Sequence, residues 1–154
     1  MLTPRVSLTL TLLQAREAAM AFFRPLLNQH GLTEQQWRVI RLLKQRGDTE
    51  MHELATQACI LKPSMSGVLV RMEQTGYVAR YRNPRDARRV HVKLTAQGEA
   101  CFAAMAGGME ANYQRILEQF GEEKLGALIG LLEELKRIEP EGGVAPVSGS
   151  EQEV

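Results

Sequence analysis

Residues 63–94 contain the feature that most restricts the fold of this chain, a short amphipathic helix that leads directly into a β-hairpin. Gly76 is well suited to end the helix. Two runs with β-branched and aromatic residues, 77–81 and 90–94, flank the turn-forming residues 83–86, a pattern typical of a hairpin. The helix side chains predicted to face the core are Met65, Val68, Leu69 and Met72. A helix followed at once by a hairpin forms part of a winged helix if other helices precede it.

The spacing of apolar residues predicts three helices before this unit. The first covers residues 8–29, and Pro25 should kink or interrupt it. Thr33 caps the second, with Gln36 completing a capping box, and Thr49 caps the short third helix. The side chains expected to be buried in these last two helices are Trp37, Ile40, Leu43, Met51, Leu54, Ala55 and Ala58. A tight turn joins the third helix to the next, as in a helix-turn-helix.

Two more helices are predicted after the hairpin. Thr95 caps a long helix that ends at Gly121, although Gly107 and Gly108 weaken this assignment, and an apolar helix follows. Together with the first helix, they carry more apolar surface than a small winged-helix core can cover. We therefore expect them to pack against a second copy of the chain. Residues 139–154 are rich in Glu, Gly, Pro and Ser without periodicity and are predicted to be disordered.

The expected fold class is mainly α with a small β-hairpin wing: a winged helix-turn-helix joined to a helical dimerisation region. The length of 154 residues fits a single domain. This domain should cover residues 1–138, with the winged helix-turn-helix at 33–94 and dimerisation helices at 8–29 and 95–138. No apolar run is long enough to cross a membrane, so a cytoplasmic protein without a membrane partner is expected.

Charge is distributed unevenly along the chain. The formal net charge is +1, but residues 62–93 contain eight basic and two acidic residues, a local net charge of +6 that leaves −5 for the rest. The basic residues are Lys62, Arg71, Arg80, Arg82, Arg85, Arg88, Arg89 and Lys93. Such an asymmetry indicates a surface that binds a polyanion such as nucleic acid.

The helix before the hairpin has small and polar side chains opposite its apolar face, where an ordinary solvated face would carry Glu and Lys. Short hydroxyl groups and Gly allow a helix to approach base edges in the major groove, and Arg71 can reach a guanine or a phosphate. We therefore predict a recognition helix. Its DNA-binding residues are Pro63, Ser64, Ser66, Gly67 and Arg71.

The tip of the hairpin carries three arginines beside one aspartate. A carboxylate can hold a neighbouring guanidinium in place for insertion into a minor groove, and Asp86 is predicted to do so for Arg88. The alternative is a surface ion pair without a role in DNA binding. The predicted DNA-binding residues of the wing are Arg85, Asp86, Arg88 and Arg89.

Three sequence motifs of enzymes are absent from the chain: a Gly-rich phosphate loop, HExxH and a nucleophile elbow. We expect no catalytic residue and no cofactor. Its histidines are scattered, which does not favour a metal site. Cys59 and Cys101 are interpreted as small buried hydrophobic residues, with an oxidant-sensing thiol as the alternative. A winged helix that binds protein instead of DNA also remains open.

Arg16 is a cation on the apolar side of the first helix, where an unpaired charge is costly. Its anion can be a glutamate of either subunit, or the side chain can extend to the surface. Alternatively, its guanidinium binds the carboxylate of a small aromatic acid whose ring contacts apolar neighbours. The predicted ligand-binding residues are Arg16, Met20, Phe23 and Trp37.

Several of these segments together resemble the MarR family of bacterial regulators. The segments that carry the resemblance are residues 63–66, 71–73, 76–78, 86–89 and 94–98, supported by 32–38 and 53–55. The resemblance implies a homodimeric repressor that binds a pseudo-palindromic operator in double-stranded DNA and is released by a small phenolic acid. Residues 12–20 and 58–61 resemble the members that repress catabolism of homoprotocatechuate (3,4-dihydroxyphenylacetate) and related hydroxyphenylacetates.

Overall fold

The computed structural model describes residues 5–141, which form seven helices and a three-stranded sheet. The elements are α1 (Leu8–Met20), α2 (Arg24–Gln29), α3 (Glu34–Arg46), β1 (Thr49–Glu50), α4 (Met51–Ala58), α5 (Lys62–Thr75), β2 (Val78–Asn83), β3 (Asp86–Leu94), α6 (Ala96–Phe120) and α7 (Glu122–Leu135). The predicted class, mainly α with a β-hairpin wing, is confirmed. Most of the tail predicted to be disordered, from residue 142 onward, lies outside the described residues.

The first predicted helix is divided into α1 and α2, as Pro25 indicated. Pro25 lies in the first turn of α2, where its missing N–H leaves no helical hydrogen bond unmade. The break falls before the proline because the proline ring would clash with the carbonyl of Ala21 in a continuous helix. The chain therefore turns between the two helices over residues 21–23.

The two predicted caps before the recognition helix had different outcomes. The capping box of Thr33 and Gln36 is confirmed, with both reciprocal hydrogen bonds present. The prediction for Thr49 was wrong. Thr49 pairs with Val92 in the sheet, and the carboxylate of Glu50 instead caps α4 by accepting a hydrogen bond of 3.0 Å from the backbone N–H of Glu53.

The sheet has the order β1-β3-β2 and is antiparallel throughout. Strands β2 and β3 form the predicted hairpin, although they are longer than expected, and their register is irregular between Arg82 and Asn83. The short strand β1 ties the base of the hairpin to the start of α4. The wing is thus anchored at its base and extends away from the helices at its tip.

One hydrophobic core lies beneath α5 and is built from α2, α3, α4, α5 and the sheet. The residues predicted to be buried on α5 are buried, and Trp37, Ile40 and Leu43 are buried on α3. Met105 of α6 also belongs to this core, whereas α1 and α7 contribute no fully buried side chain. Among the described residues, no helix has the length and apolar character needed to cross a membrane.

Two glycines of α6 permit close contacts that the sequence did not reveal. A Cβ at Gly98 would overlap the backbone carbonyl of Tyr77, so glycine lets the start of α6 lie directly against the base of the wing. A Cβ at Gly108 would lie 2.7 Å from a methyl group of Leu26. Gly108 therefore allows α2 to pack closely on α6 and does not interrupt the helix.

Candidate nucleic-acid interface and ligand cavity

The outer face of α5 forms a continuous exposed stripe opposite the core. Its apolar side chains anchor the helix through the core, and Gly76 ends it in the left-handed conformation, with φ of 88°. The exposed residues are Lys62, Pro63, Ser64, Ser66, Gly67, Val70, Arg71, Gln74 and Thr75. All five residues predicted to bind DNA from this helix therefore lie together on one accessible surface. Small residues near its start leave room for a base pair to approach.

The tip of the wing is held by local hydrogen bonds that leave its cations exposed. The side-chain oxygen of Asn83 accepts a hydrogen bond of 3.0 Å from the backbone N–H of Arg85. Across the hairpin, the guanidinium of Arg82 donates to the carbonyl of Ala87 at 2.6 Å. The wing residues predicted to bind DNA are all exposed.

Asp86 pairs with Arg89 and not with Arg88, the partner predicted from the sequence. Its Oδ2 atom lies 3.3 Å from Nε of Arg89, and no ion pair between Asp86 and Arg88 is present. The irregular register at the hairpin tip disturbs the strict alternation of strand side chains, so spacing along the sequence does not identify the neighbour. Asp86 therefore orients Arg89, while the guanidinium of Arg88 extends from the wing without this carboxylate.

Contacts at the base of the wing fix its direction relative to α5. Nε of Arg80 lies 2.6 Å from the carboxylate of Glu73 on the recognition helix. The hydroxyl of Tyr81 donates to Asp48 at 2.7 Å, and its ring stacks on His91 with centroids 5.5 Å apart. The hydrogen bond to Asp48 raises the pKa of Tyr81. The helix and the hairpin therefore form one surface.

A cavity of about 230 Å³ lies between α3 and α6, on the side of the molecule where α2 meets them. Trp37 and Phe102 are stacked at its wall, with ring centroids 5.7 Å apart and planes within 8° of each other. The lining residues are Phe23, Trp37, Arg41, Gln45, Phe102, Ala106, Met109, Glu110 and Tyr113. The cavity thus combines aromatic surface for a ring with one cation, one carboxylate and several hydrogen-bonding groups.

Arg41 is the cation of this cavity. Within the part of the chain that the structure describes, its guanidinium has no carboxylate within salt-bridge distance. Arg41 was not among the predicted ligand residues. Its position four residues after Trp37, on the same face of α3, is the sequence signal that would have identified it. Phe102, Met109 and Tyr113 similarly recur on one face of α6, at spacings of seven and four residues.

Arg16 lies apart from the aromatic cavity. Its Nη2 atom is 2.6 Å from the carboxylate of Glu34, which also accepts a hydrogen bond of 2.7 Å from Nε of Arg24. The hydrogen bond from Arg16 lowers the pKa of Glu34, partial burial opposes this effect, and the bond from Arg24 lowers the pKa further. Arg16 lines another cavity, towards α5, while Met20 packs at the margin of the core. Of the four predicted ligand residues, the structure therefore joins only Phe23 and Trp37.

The two cysteines occupy different environments, and the interpretation of both as buried was wrong for Cys59. Cys59 ends α4 in the left-handed conformation, with φ of 53°, and is exposed at the turn before α5. Cys101 is partly buried beside Tyr77, and its burial raises the pKa of the thiol. In the described residues, no group of three or more His, Cys, Asp or Glu side chains converges in a way that would hold a metal ion.

Comparison with known proteins gives consistent results. The model of the MarR family matches residues 32–90. The homoprotocatechuate degradative operon repressor of Escherichia coli is 47% identical over 128 residues, which cover 83% of this chain and 86% of that protein. The match therefore includes the outer helices as well as the winged helix.

Solved structures share the same architecture. The transcriptional regulator PA4135 is 67% identical, with a TM-score of 0.86 over 88% of this chain and 100% of that chain. NadR in complex with 4-hydroxyphenylacetate is 45% identical, with a TM-score of 0.80 over 90% and 99%. The repressor CouR bound to a 23-mer DNA duplex is 27% identical, with a TM-score of 0.77 over 85% and 93%.

Proposed function

Because this chain belongs to the MarR family of transcriptional regulators, we propose that it represses an operon for the catabolism of aromatic acids and leaves its operator when a phenolic acid binds. The observation that carries this proposal is the combination of an exposed basic surface with an aromatic cavity whose arginine, Arg41, has no carboxylate within salt-bridge distance among residues 5–141. The E. coli repressor and the NadR complex support hydroxyphenylacetates as the effector class.

The DNA surface consists of the outer face of α5 and the tip of the wing. In our proposal, α5 enters the major groove through its small and polar residues, and the arginines of the wing contact phosphates or the adjacent minor groove. The proposed contact residues are Pro63, Ser64, Ser66, Gly67, Arg71, Arg85, Asp86, Arg88 and Arg89. In this arrangement residues 33–94 bind DNA in the cytoplasm, and residues 8–29 and 95–138 form the dimer.

The effector site is the cavity between α3 and α6. Its volume suits a single-ring acid, since pockets for drug-sized ligands are about 300–1,000 Å³. Arg41 binds the carboxylate, the aromatic wall holds the ring, and Glu110 or Tyr113 bonds the phenolic hydroxyl. An acid seated between α3, which packs against the DNA-binding helices, and α6, which belongs to the dimer, can change the distance between the two recognition helices.

Binding to DNA is tested on duplexes selected from a randomised pool. We expect a pseudo-palindrome with half-sites about 10 base pairs apart, because a two-fold dimer presents two recognition helices. Affinity should fall steeply with salt, with a log–log slope of about 0.9 for each phosphate neutralised. A slope near zero, or a monomer bound to a single half-site, would contradict the proposal.

Release by the effector is tested with 4-hydroxyphenylacetate and 3,4-dihydroxyphenylacetate, using uncharged 4-hydroxyphenylacetamide as the control. Each acid should raise the thermal unfolding midpoint, since it binds the native state, and should dissociate the operator complex at the same concentrations. The amide should do neither because it cannot form the charge-assisted bond with arginine. Stabilisation without release would show binding that does not regulate DNA.

A further inference from the structure

Val70 is an exposed apolar side chain on the outer face of α5. Among residues 33–94, the large hydrophobic side chains that remain exposed are Val70, at 41%, and Tyr81, at 37%. The other exposed large hydrophobic side chains of the described residues lie on or beside α1, α6 and α7, the helices proposed to form the dimer. Tyr81 has partners in the wing, since it bonds Asp48 and stacks on His91. Val70 instead lies on the face that the proposed function places against DNA.

The position of Val70 within the stripe suggests its partner. It follows Gly67 by three residues and precedes Gln74 by four, so the three positions are aligned on the helix surface, and Arg71 lies beside them. Both Gln74 and Arg71 offer hydrogen-bond donors to a base edge. The aliphatic side chain of Val70 neither donates nor accepts hydrogen bonds, so it gains free energy by contact with an apolar group.

Arg71 leaves the side chain of Val70 accessible. A Cβ at Gly67 would lie 3.8 Å from Nη2 of Arg71, so the guanidinium extends over Gly67 towards the start of the helix. This direction is the one that long helical side chains normally take. The guanidinium of Arg71, which suits guanine, and the aliphatic side chain of Val70 thus lie side by side on the face proposed to enter the groove.

The C5-methyl group of thymine is the apolar group that bases expose in the major groove. We infer that Val70 contacts this methyl group and thereby selects a T·A pair at one position of each operator half-site. The inference deepens the proposed function and rests on it, because it requires α5 to lie in the major groove. It assigns a specificity-determining role to a residue outside the set predicted to bind DNA.

The test replaces each operator thymine in turn by deoxyuridine, which lacks only the methyl group, in both half-sites together. The wild-type protein should lose affinity at one symmetric position, by about 3- to 5-fold for each half-site and so about 10-fold or more in total. Val70→Ala should bind the unmodified operator with a similar loss and should no longer distinguish thymine from deoxyuridine at that position. This is a double-mutant cycle between one side chain and one methyl group.

Two further variants make the result specific. Ser66→Ala, on the same face, should keep the full effect of deoxyuridine, whatever its own affinity. Val70→Thr, which keeps the branched shape but loses one methyl group, should show a reduced effect. The inference is overturned if no deoxyuridine substitution weakens the wild-type complex, or if Val70→Ala remains equally sensitive. If no duplex binds the protein at all, the proposed function itself fails, and the inference falls with it.

Discussion

Arg16 and Arg41 carry the same guanidinium group, but their neighbours give them different roles. Arg16 is paired with Glu34, which the sequence analysis had considered as its structural alternative. Arg41 faces a cavity with aromatic walls and has no described carboxylate within salt-bridge distance. Because a ligand carboxylate would have to compete with Glu34 for Arg16, the structure favours Arg41 as the effector-binding cation.

Arg41→Ala should therefore weaken the binding of 4-hydroxyphenylacetate by about 10- to 150-fold, the loss expected for a hydrogen-bonded charge. The affinity of Arg41→Lys for the same acid should lie between those of Arg41→Ala and the wild type, because lysine keeps the charge but not the two parallel hydrogen bonds. Isothermal titration calorimetry measures both variants, with Arg16→Ala in parallel. If Arg16→Ala loses the effector and Arg41→Ala retains it, the original assignment to Arg16 holds.

At the wing, Arg88→Ala should weaken operator binding and reduce the preference for A·T-rich flanks, since a narrow minor groove attracts arginine. Asp86→Ala should have a smaller effect because Asp86 orients the neighbouring Arg89. Fluorescence anisotropy on operators with A·T-rich or G·C-rich flanks measures both properties. Wild-type affinity and flank preference in Arg88→Ala would remove this residue from the interface.

At the scale of elements, local capping signals are reliable where no other element competes for the same residues. Thr33 precedes a helix that begins in a solvent-exposed loop, and its capping box forms as expected. Thr49 has the same type of side chain, but pairing of its backbone with Val92 in β3 moves the cap to Glu50. Strand pairing between segments more than forty residues apart cannot be read from a capping pattern.

Thr33→Ala should destabilise the protein by about 1 kcal/mol, the usual cost of losing an N-cap. Thr56→Ala is the matched control, because the Thr56 hydroxyl donates only to the carbonyl of His52 in its own helix. This change should cost less than about 0.5 kcal/mol, as ordinary surface substitutions do. Urea unfolding at equal protein concentration compares them. Equal losses in the free energy of unfolding would mean that the Thr33 cap stabilises the protein no more than an ordinary surface hydroxyl.

The contact of α1 and α2 with α3 should depend on pH through Glu34. Its pKa is lowered in the folded state, chiefly by the hydrogen bond from Arg16, so its contribution is complete above the unfolded value of about 4.3 and is lost as the pH falls below that value. Glu34→Gln should be less stable than the wild type at pH 7, and the difference should shrink as the pH falls below about 4.3. Thermal unfolding across this range measures it; a constant difference would exclude titration of Glu34 as the cause.

At the scale of the whole molecule, the outer helices expose more apolar surface than the described residues cover. Apolar side chains remain exposed along α1, α6 and α7, among them Phe120, Ile129 and Leu131. The same helices flank the winged helix on both sides in sequence. If a second copy buries these faces, as we propose, their packing also sets the distance between the two recognition helices, and dimer formation and operator spacing then depend on the same surface.

Ile129→Glu and Leu131→Glu, combined, should shift the protein to monomers and weaken operator binding by more than 100-fold, an order-of-magnitude expectation for losing one of two linked contacts. Thr56→Glu and Gln57→Glu, combined, add the same charge at exposed polar positions of α4, outside the helices proposed to form the dimer; this control should remain dimeric. Analytical ultracentrifugation gives the state of each. A stable dimer of the double variant would show that α7 does not form the interface.

Three features followed from the sequence alone: the order of helices and hairpin, the buried faces of α3, α4 and α5, and the basic surface. Each of them depends on the spacing of residues within one element. The partners of Asp86, Arg16 and Thr49 were decided only by the tertiary structure, as was the cavity that joins Trp37 and Arg41 to Phe102. These contacts connect elements that are distant in sequence or adjoin an irregular turn. Periodicity describes the face that a residue occupies, whereas packing determines which group it meets there.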